Sequence, residues 1–208
     1  MNLTDKHLHI LDKAECLFAQ QGFDGTTVRD IAQAAGVNLA MISYYFGSKE
    51  KLLEQLFMER MGGIKLRIEA VVNNPGIGPF QKLEILIDQY IERVFAKQDF
   101  YKVMYTEQML NKNAEVLRSI KQYKLEFIEL IEEVIGEGKK LNQFKPDIDT
   151  LLLLTSMTGS VIQLLINKGY YKEHLHFGEI ENAEYDEVLK LKLRAHIKNI
   201  FKATLGYE

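Results

Sequence analysis

Apolar residues recur at three- and four-residue intervals along almost the whole chain, and no stretch alternates apolar with polar residues between hairpin turns. This pattern predicts an all-α fold. Its breaks are few and fall on residues able to stop a helix: Gly22 to Thr26, Gly36, Gly47, the NNPGIGP run from Asn73 to Pro79, Asp99, Asn111 to Asn113, Gly136 to Pro146 and Gly169 to Asn182. They delimit about nine helices: Asp5 to Gln21, Val28 to Ala35, Leu39 to Phe46, Lys49 to Val72, Phe80 to Lys97, Phe100 to Leu110, Ala114 to Glu137, Ile148 to Asn167 and Tyr185 to Leu205. The stretch from Tyr170 to Asn182 reads as an irregular loop. No internal repeat or low-complexity segment is present.

The most informative run is TTVRDIAQAAGVNLAMISYYFGSKEKLL, from Thr26 to Leu53. Thr27 can cap a helix starting at Val28, with Asp30 completing a capping box. Gly36 supplies the left-handed residue of a tight turn, and Asn38 caps the next helix. Ile42, or Met41, and Phe46 face inward on that helix. Leu39, Ala40, Ser43, Tyr44 and Tyr45 are left to the outer face and flanks. Two helices joined by a tight Gly turn, the second short and bearing small and hydroxylated side chains, form a helix-turn-helix whose second helix enters the major groove of DNA. There, hydroxyls meet bases or phosphates and apolar groups meet thymine methyls. Ser48 and Lys49 open a further helix, where an ammonium and backbone N–H groups can converge on a phosphate. Each residue also has a plainer use: Tyr44 and Tyr45 as packing aromatics, Lys49 as a solvated surface cation.

The run GVNLAMISYYFGSKEKLL resembles the GVSxxxLYxHFxSKExL signature of TetR-type bacterial regulators. The preceding LFAQQGFDGTTVRDIA resembles the family's first helix and the approach to its second. A weaker likeness lies downstream in GKKLNQFKPDID. The resemblance implies a helix-turn-helix domain over residues 1–48 and a helical effector-binding and dimerisation domain over 49–208. It implies phosphate contacts by Thr27, Tyr44 and Lys49, and groove-facing Leu39, Ala40, Ser43 and Tyr45; Arg29 and Asn38 complete the expected DNA-binding set. Ser43 stands where the family often has Tyr, and Leu39 where it often has a polar residue. The function implied is a repressor released from a palindromic operator by a small, largely apolar effector. The alternative is an activating or architectural DNA-binding regulator without one.

Composition changes this picture little. At 208 residues, 47% hydrophobic and 26% charged, the chain matches an ordinary globular protein, and its longest purely apolar run, near Leu151 to Leu154, is far too short to span a membrane. We therefore expect a cytoplasmic protein. Residues 1–60 carry six Lys and Arg against eight Asp and Glu, so any DNA binding rests on a few local cations and on two copies of the motif. Cys16 is the only cysteine, which rules out an internal disulfide, and it reads as a buried small residue.

The pairs His7 with His9 and His174 with His176 diverge at i,i+2 on a helix and have no third ligand nearby in sequence, so no metal or cofactor is expected. Ser156 and Ser160 have no neighbouring His, and no set of acid, base and metal ligands supports an enzyme. Phe95, Tyr101, Met104, Tyr105, Met109, Phe127, Met157 and Gln163 are the candidate effector-binding residues, since ligand sites are lined by aromatic and pliable apolar side chains. Each could equally belong to the core. Thr155, Ser156, Thr158 and Ser160 offer a polar lining or, around Gly159, tight helix packing. The last two helices carry more apolar residues than one core contact uses, which points to a homodimer built from them.

Overall fold

The computed structural model describes residues 5–110, 112–174 and 180–207. Among these, eleven α-helices and no strand occur: α1 (Asp5–Gly25), α2 (Val28–Ala34), α3 (Leu39–Phe46), α4 (Lys49–Met61), α5 (Ile64–Val72), α6 (Pro79–Ala96), α7 (Gln98–Leu110), α8 (Ala114–Lys140), α9 (Thr150–Ile166), α10 (Lys168–His174) and α11 (Asn182–Leu205).

Two differences from the sequence reading have local causes. The single helix expected over Lys49 to Val72 is two, because Gly63 adopts φ 69°, a left-handed conformation that a continuing helix cannot contain. Within the loop expected over Tyr170 to Asn182, Tyr170 to His174 are helical as part of α10, started by the Tyr171 N–H bonding the Asn167 carbonyl at 2.9 Å. His176 of the second His pair lies outside the described residues.

The chain divides into two compact units. One holds residues 1–62 and 98–123, the other 63–97 and 124–208. The boundary expected at residue 48 thus falls inside the first unit, which adds α4, α7 and the start of α8 to the three N-terminal helices.

In the first unit, α1 packs along α7 and against α2 and α4. Ile10, Leu11, Ala14 and Phe18 supply its buried stripe at helical spacing, met by Leu52, Leu53, Leu56 and Phe57 of α4. The Phe57 and Phe100 rings lie 5.1 Å apart. Arg60 ties α4 to α1 through Nε to Glu15 at 2.5 Å and through a second ion pair to Asp12. Cys16 is half-buried rather than buried, its Sγ accepting from Gln20 Nε2 at 3.2 Å.

In the second unit α6 packs on α5, α9 and α11. Its stripe of Leu83, Leu86, Ile87, Ile91 and Val94 is buried, as are Leu189, Leu193, Ile197 and Phe201 of α11. Beside this seam runs a ladder of charge. Glu84, Asp88 and Glu92 on α6 face Lys198, Arg194 and Lys190 on α11, with Lys198 Nζ 2.8 Å from Asp88 and Lys190 Nζ 3.0 Å from Glu92. The C-terminal end closes on this unit: Tyr207 stacks on Phe80 with ring centres 4.3 Å apart, and Lys145 N–H donates to the Leu205 carbonyl at 2.9 Å.

Candidate DNA-binding interface

The helix pair α2–α3 is built by short-range hydrogen bonds. Thr27 N–H and Oγ1–H donate to Asp30 Oδ2 at 2.8 and 2.6 Å, while Asp30 N–H returns a bond to Thr27 Oγ1 at 3.2 Å. The capping box is therefore complete, and the Thr27 hydroxyl and amide together hold the Asp30 carboxyl below its ordinary range. At the other end of α2, Gly36 has φ 62° and the Val37 N–H reaches back to the Ala32 carbonyl at 3.0 Å, a Schellman closure. Asn38 Oδ1 then accepts from Ala40 N–H at 2.9 Å and starts α3.

This turn sets the rotation of α3. Ile42 and Phe46 are buried, Met41 is half-buried, and Leu39, Ala40, Ser43 and Tyr44 share the open side at i, i+1, i+4 and i+5. Leu39 is 40% exposed and Tyr44 83%, large values for apolar and aromatic side chains with a core close by. Arg29 is exposed on the first turn of α2.

Two residues of the expected set also have partners inside the protein. Tyr45 is half-buried, its ring 4.1 Å from that of His7 on α1 and 5.2 Å from that of the exposed Tyr44. Lys49 does not project its ammonium. Nζ donates to the carbonyls of Phe23 and Thr26 at 2.8 and 2.9 Å and lies 4.2 Å from the centre of the Phe23 ring. The Phe23 carbonyl is in the last turn of α1, beyond the kink at Gly22, and that of Thr26 lies just past the helix end, where the carbonyl ends of the helix dipoles favour a cation. The start of α4 is likewise satisfied from within. Ser48 Oγ accepts from Lys51 N–H at 3.2 Å, and the Glu50 carboxyl is lowered by its own backbone N–H and then by the Ser48 hydroxyl.

The fold also places residues the sequence did not single out. An open groove of about 420 Å³ runs between the start of α1 and the α2–α3 turn, lined by Lys6 and His9 together with Gly36, Val37, Asn38 and Met41, and by Asp5 at one side. Only the packing of α1 on the helix pair brings Lys6 there. Its one sequence signal was a lone cation at the start of an amphipathic helix.

The expected effector residues divide between the two units. Tyr101 and Met104 are buried in the first, with Tyr105 half-buried and Met109 85% exposed. Phe95 and Met157 are buried in the second, Phe127 is half-buried, and Gln163 lies on the open side of α9. Met109 and Gln163 are thus not walls of an interior. The hydroxyls of Thr155, Ser156, Thr158 and Ser160 bond carbonyls of their own helix, at Leu151, Leu152, Leu154 and Ser156. Thr155, Ser156, Gly159 and Gln163 together with Leu152 and Ile166 make one exposed face.

Two sequence profiles match the chain: "Bacterial regulatory proteins, tetR family" over residues 10–56, and "Tetracyclin repressor-like, C-terminal domain" over 79–179. The chain belongs to the TetR family. This TetR-family chain is a DNA-binding transcriptional regulator with an N-terminal helix-turn-helix and a helical C-terminal region. It is 29% identical over 149 residues to the HTH-type transcriptional repressor KstR2 of Rhodococcus jostii, covering 72% of each chain. It is 25% identical over 156 residues to the fatty acid metabolism regulator protein of Bacillus subtilis, covering 75% of this chain and 79% of that one. Among solved structures it resembles the fatty acid degradation regulator FadR from Bacillus halodurans, with a TM-score of 0.71 and 26% identity over 99% of this chain and 97% of that one. Among the described residues no single helix is long and apolar enough to cross a membrane.

Proposed function

We propose that the protein is a cytoplasmic repressor that binds a palindromic operator as a homodimer and leaves it when a long apolar effector binds the helices between Phe80 and Leu165. The observation that carries the DNA half is the open face of α3, where Leu39, Ala40, Ser43 and Tyr44 stand clear of the core on a helix fixed by caps at both ends. Thr27, Arg29 and Tyr44 supply backbone contacts in this reading, and Lys6 is added to them from the groove beside Asn38. Lys49 acts from behind by holding the end of α1 in place.

The homodimer reading is supported by α9 and α11. Leu151, Leu152 and Ile166 on α9 and Leu191 on α11 are exposed, beside the small residues Thr155, Ser156 and Gly159 that permit close helix approach. A two-fold partner seated there brings a second head about 34–36 Å along the duplex, one helical turn away.

For the effector, similarity to two regulators named for fatty acid metabolism and degradation favours an acyl chain, which suits a helical domain whose buried side chains include Phe80, Phe95 and Met157. Release requires that the effector bind the DNA-incompetent conformation more tightly than the competent one. The test is a gel shift on a duplex selected from a random library, repeated with stearic acid and with stearoyl-CoA. Release by either, with a matching rise in thermal midpoint, is expected. A selected duplex that stays bound while neither compound changes the midpoint removes the effector half and leaves the DNA half standing.

A further inference from the structure

The open face of α3 lacks every side chain that reads a purine by paired hydrogen bonds. Guanine is read bidentately by Arg or Lys and adenine by Asn or Gln, yet the helix sequence is LAMISYYF. Asn38, the one amide next to it, is spent on its cap to Ala40 N–H at 2.9 Å. Lys49, the nearest following cation, is held by Phe23 and Thr26. Arg29 and Gln33 sit on α2, the helix that crosses the DNA backbone in this motif.

What remains at the leading end of α3, the part of a recognition helix that meets base edges, is Leu39 followed by Ala40. Leu39 is 40% exposed in the free protein, leaving branched apolar surface uncovered. The major groove has one apolar feature to cover it, the C5 methyl of thymine. Ser43, one turn on, adds a hydroxyl that can serve as donor or acceptor to whichever base lies beneath it.

Resting on the DNA-binding reading above, we infer that each operator half-site places thymines against Leu39 and Ala40, so that an A·T core is read through thymine methyl groups rather than through hydrogen bonds to purines. Burial, not polar pairing, then sets base preference at these positions. Discrimination per base pair is modest, and the two-fold repeat of the site multiplies it.

The experiment is selection from a random duplex library, followed by replacement of each enriched thymine with deoxyuridine, which removes only the methyl group. Enrichment of adjacent thymines in each half-site is expected. Removal of each contacted methyl should weaken binding about fourfold, the effect of exposing roughly one methyl group. Leu39→Ala, on an open face and so folded with an unchanged unfolding midpoint, should bind thymine and deoxyuridine duplexes equally at one position while the other position keeps its effect. Leu39→Asn should shift that position towards adenine. A half-site core of G·C pairs, or a parent protein indifferent to methyl removal, overturns the inference while DNA binding stands. Enrichment of no duplex at all overturns the DNA-binding reading itself, and this inference with it.

Discussion

The ammonium of Lys49 is 2.8 Å from the Phe23 carbonyl oxygen and 4.2 Å from the centre of the same residue's ring. One side chain thus fixes both backbone and aromatic ring at the end of α1, at the corner from which α2 departs. Lys49→Met should lower the stability of the protein by about 2 kcal/mol, through removal of charge-assisted hydrogen bonds and a cation–π interaction. Operator affinity should fall with it, but the slope of log affinity against log salt should not change. Urea unfolding and a salt titration together check this; a slope reduced by about 0.9 would restore Lys49 as a phosphate anchor.

Lys6 and Arg29 are expected to neutralise operator phosphates. Lys6→Ala and Arg29→Ala should each weaken binding to all duplexes alike and reduce the magnitude of the salt slope by about 0.9 for each phosphate no longer neutralised. Filter binding between 50 and 200 mM salt, conditions chosen for the steepness of this effect, measures it. Unchanged slopes in both variants would leave the head without identified phosphate cations.

Leu152→Lys combined with Leu191→Glu alters only exposed positions, on α9 and α11. The monomer's helical signal should survive. Light scattering should move from a dimer to the 24.0 kDa of one chain, and operator affinity should drop by two orders of magnitude or more as the second head is removed. A parent protein already at 24.0 kDa would eliminate the proposed interface.

Glu107 on α7 is buried, and its carboxyl is pushed above its ordinary range by that burial and by Asp24, with Lys112 opposing. A carboxyl raised in the folded state keeps its proton where the unfolded chain has released it. Stability from this group is greatest below the unfolded pKa and declines as pH rises through the folded one. Glu107→Gln should therefore gain on the parent as pH is raised from about 4, the gain levelling off once the folded carboxyl has ionised. Urea midpoints at intervals between those limits read this out, and a difference independent of pH would contradict it.

The helix-turn-helix was legible because everything that shapes it is local. The Thr27–Asp30 box, the Gly36 turn and the Asn38 cap each act within five residues, and α3 falls where its periodicity put it. The break at Gly63 was written in a Gly-Gly pair but outvoted by apolar residues on either side. The contacts of Tyr45 and Lys49 within the protein were not legible. Their partners, His7 and Phe23, lie far back along the chain, and only the packing of α1 decides which neighbour an aromatic ring or a long cation finds first. The same holds for Lys6. Position on a helix was readable from sequence; the occupant of the space opposite was not.

The reading head is discontinuous, since α1 packs along α7 and Phe57 meets Phe100 only after the residues of α5 and α6 have been made. During synthesis α2 and α3 are therefore translated well before the helix that completes the core of their unit. Loop closure across the intervening segment must precede the contact. A chain that ends before α7 lacks the cover that α1 and Phe57 find in α7 and Phe100. The folded helix-turn-helix unit thus waits on chain that lies beyond α5 and α6.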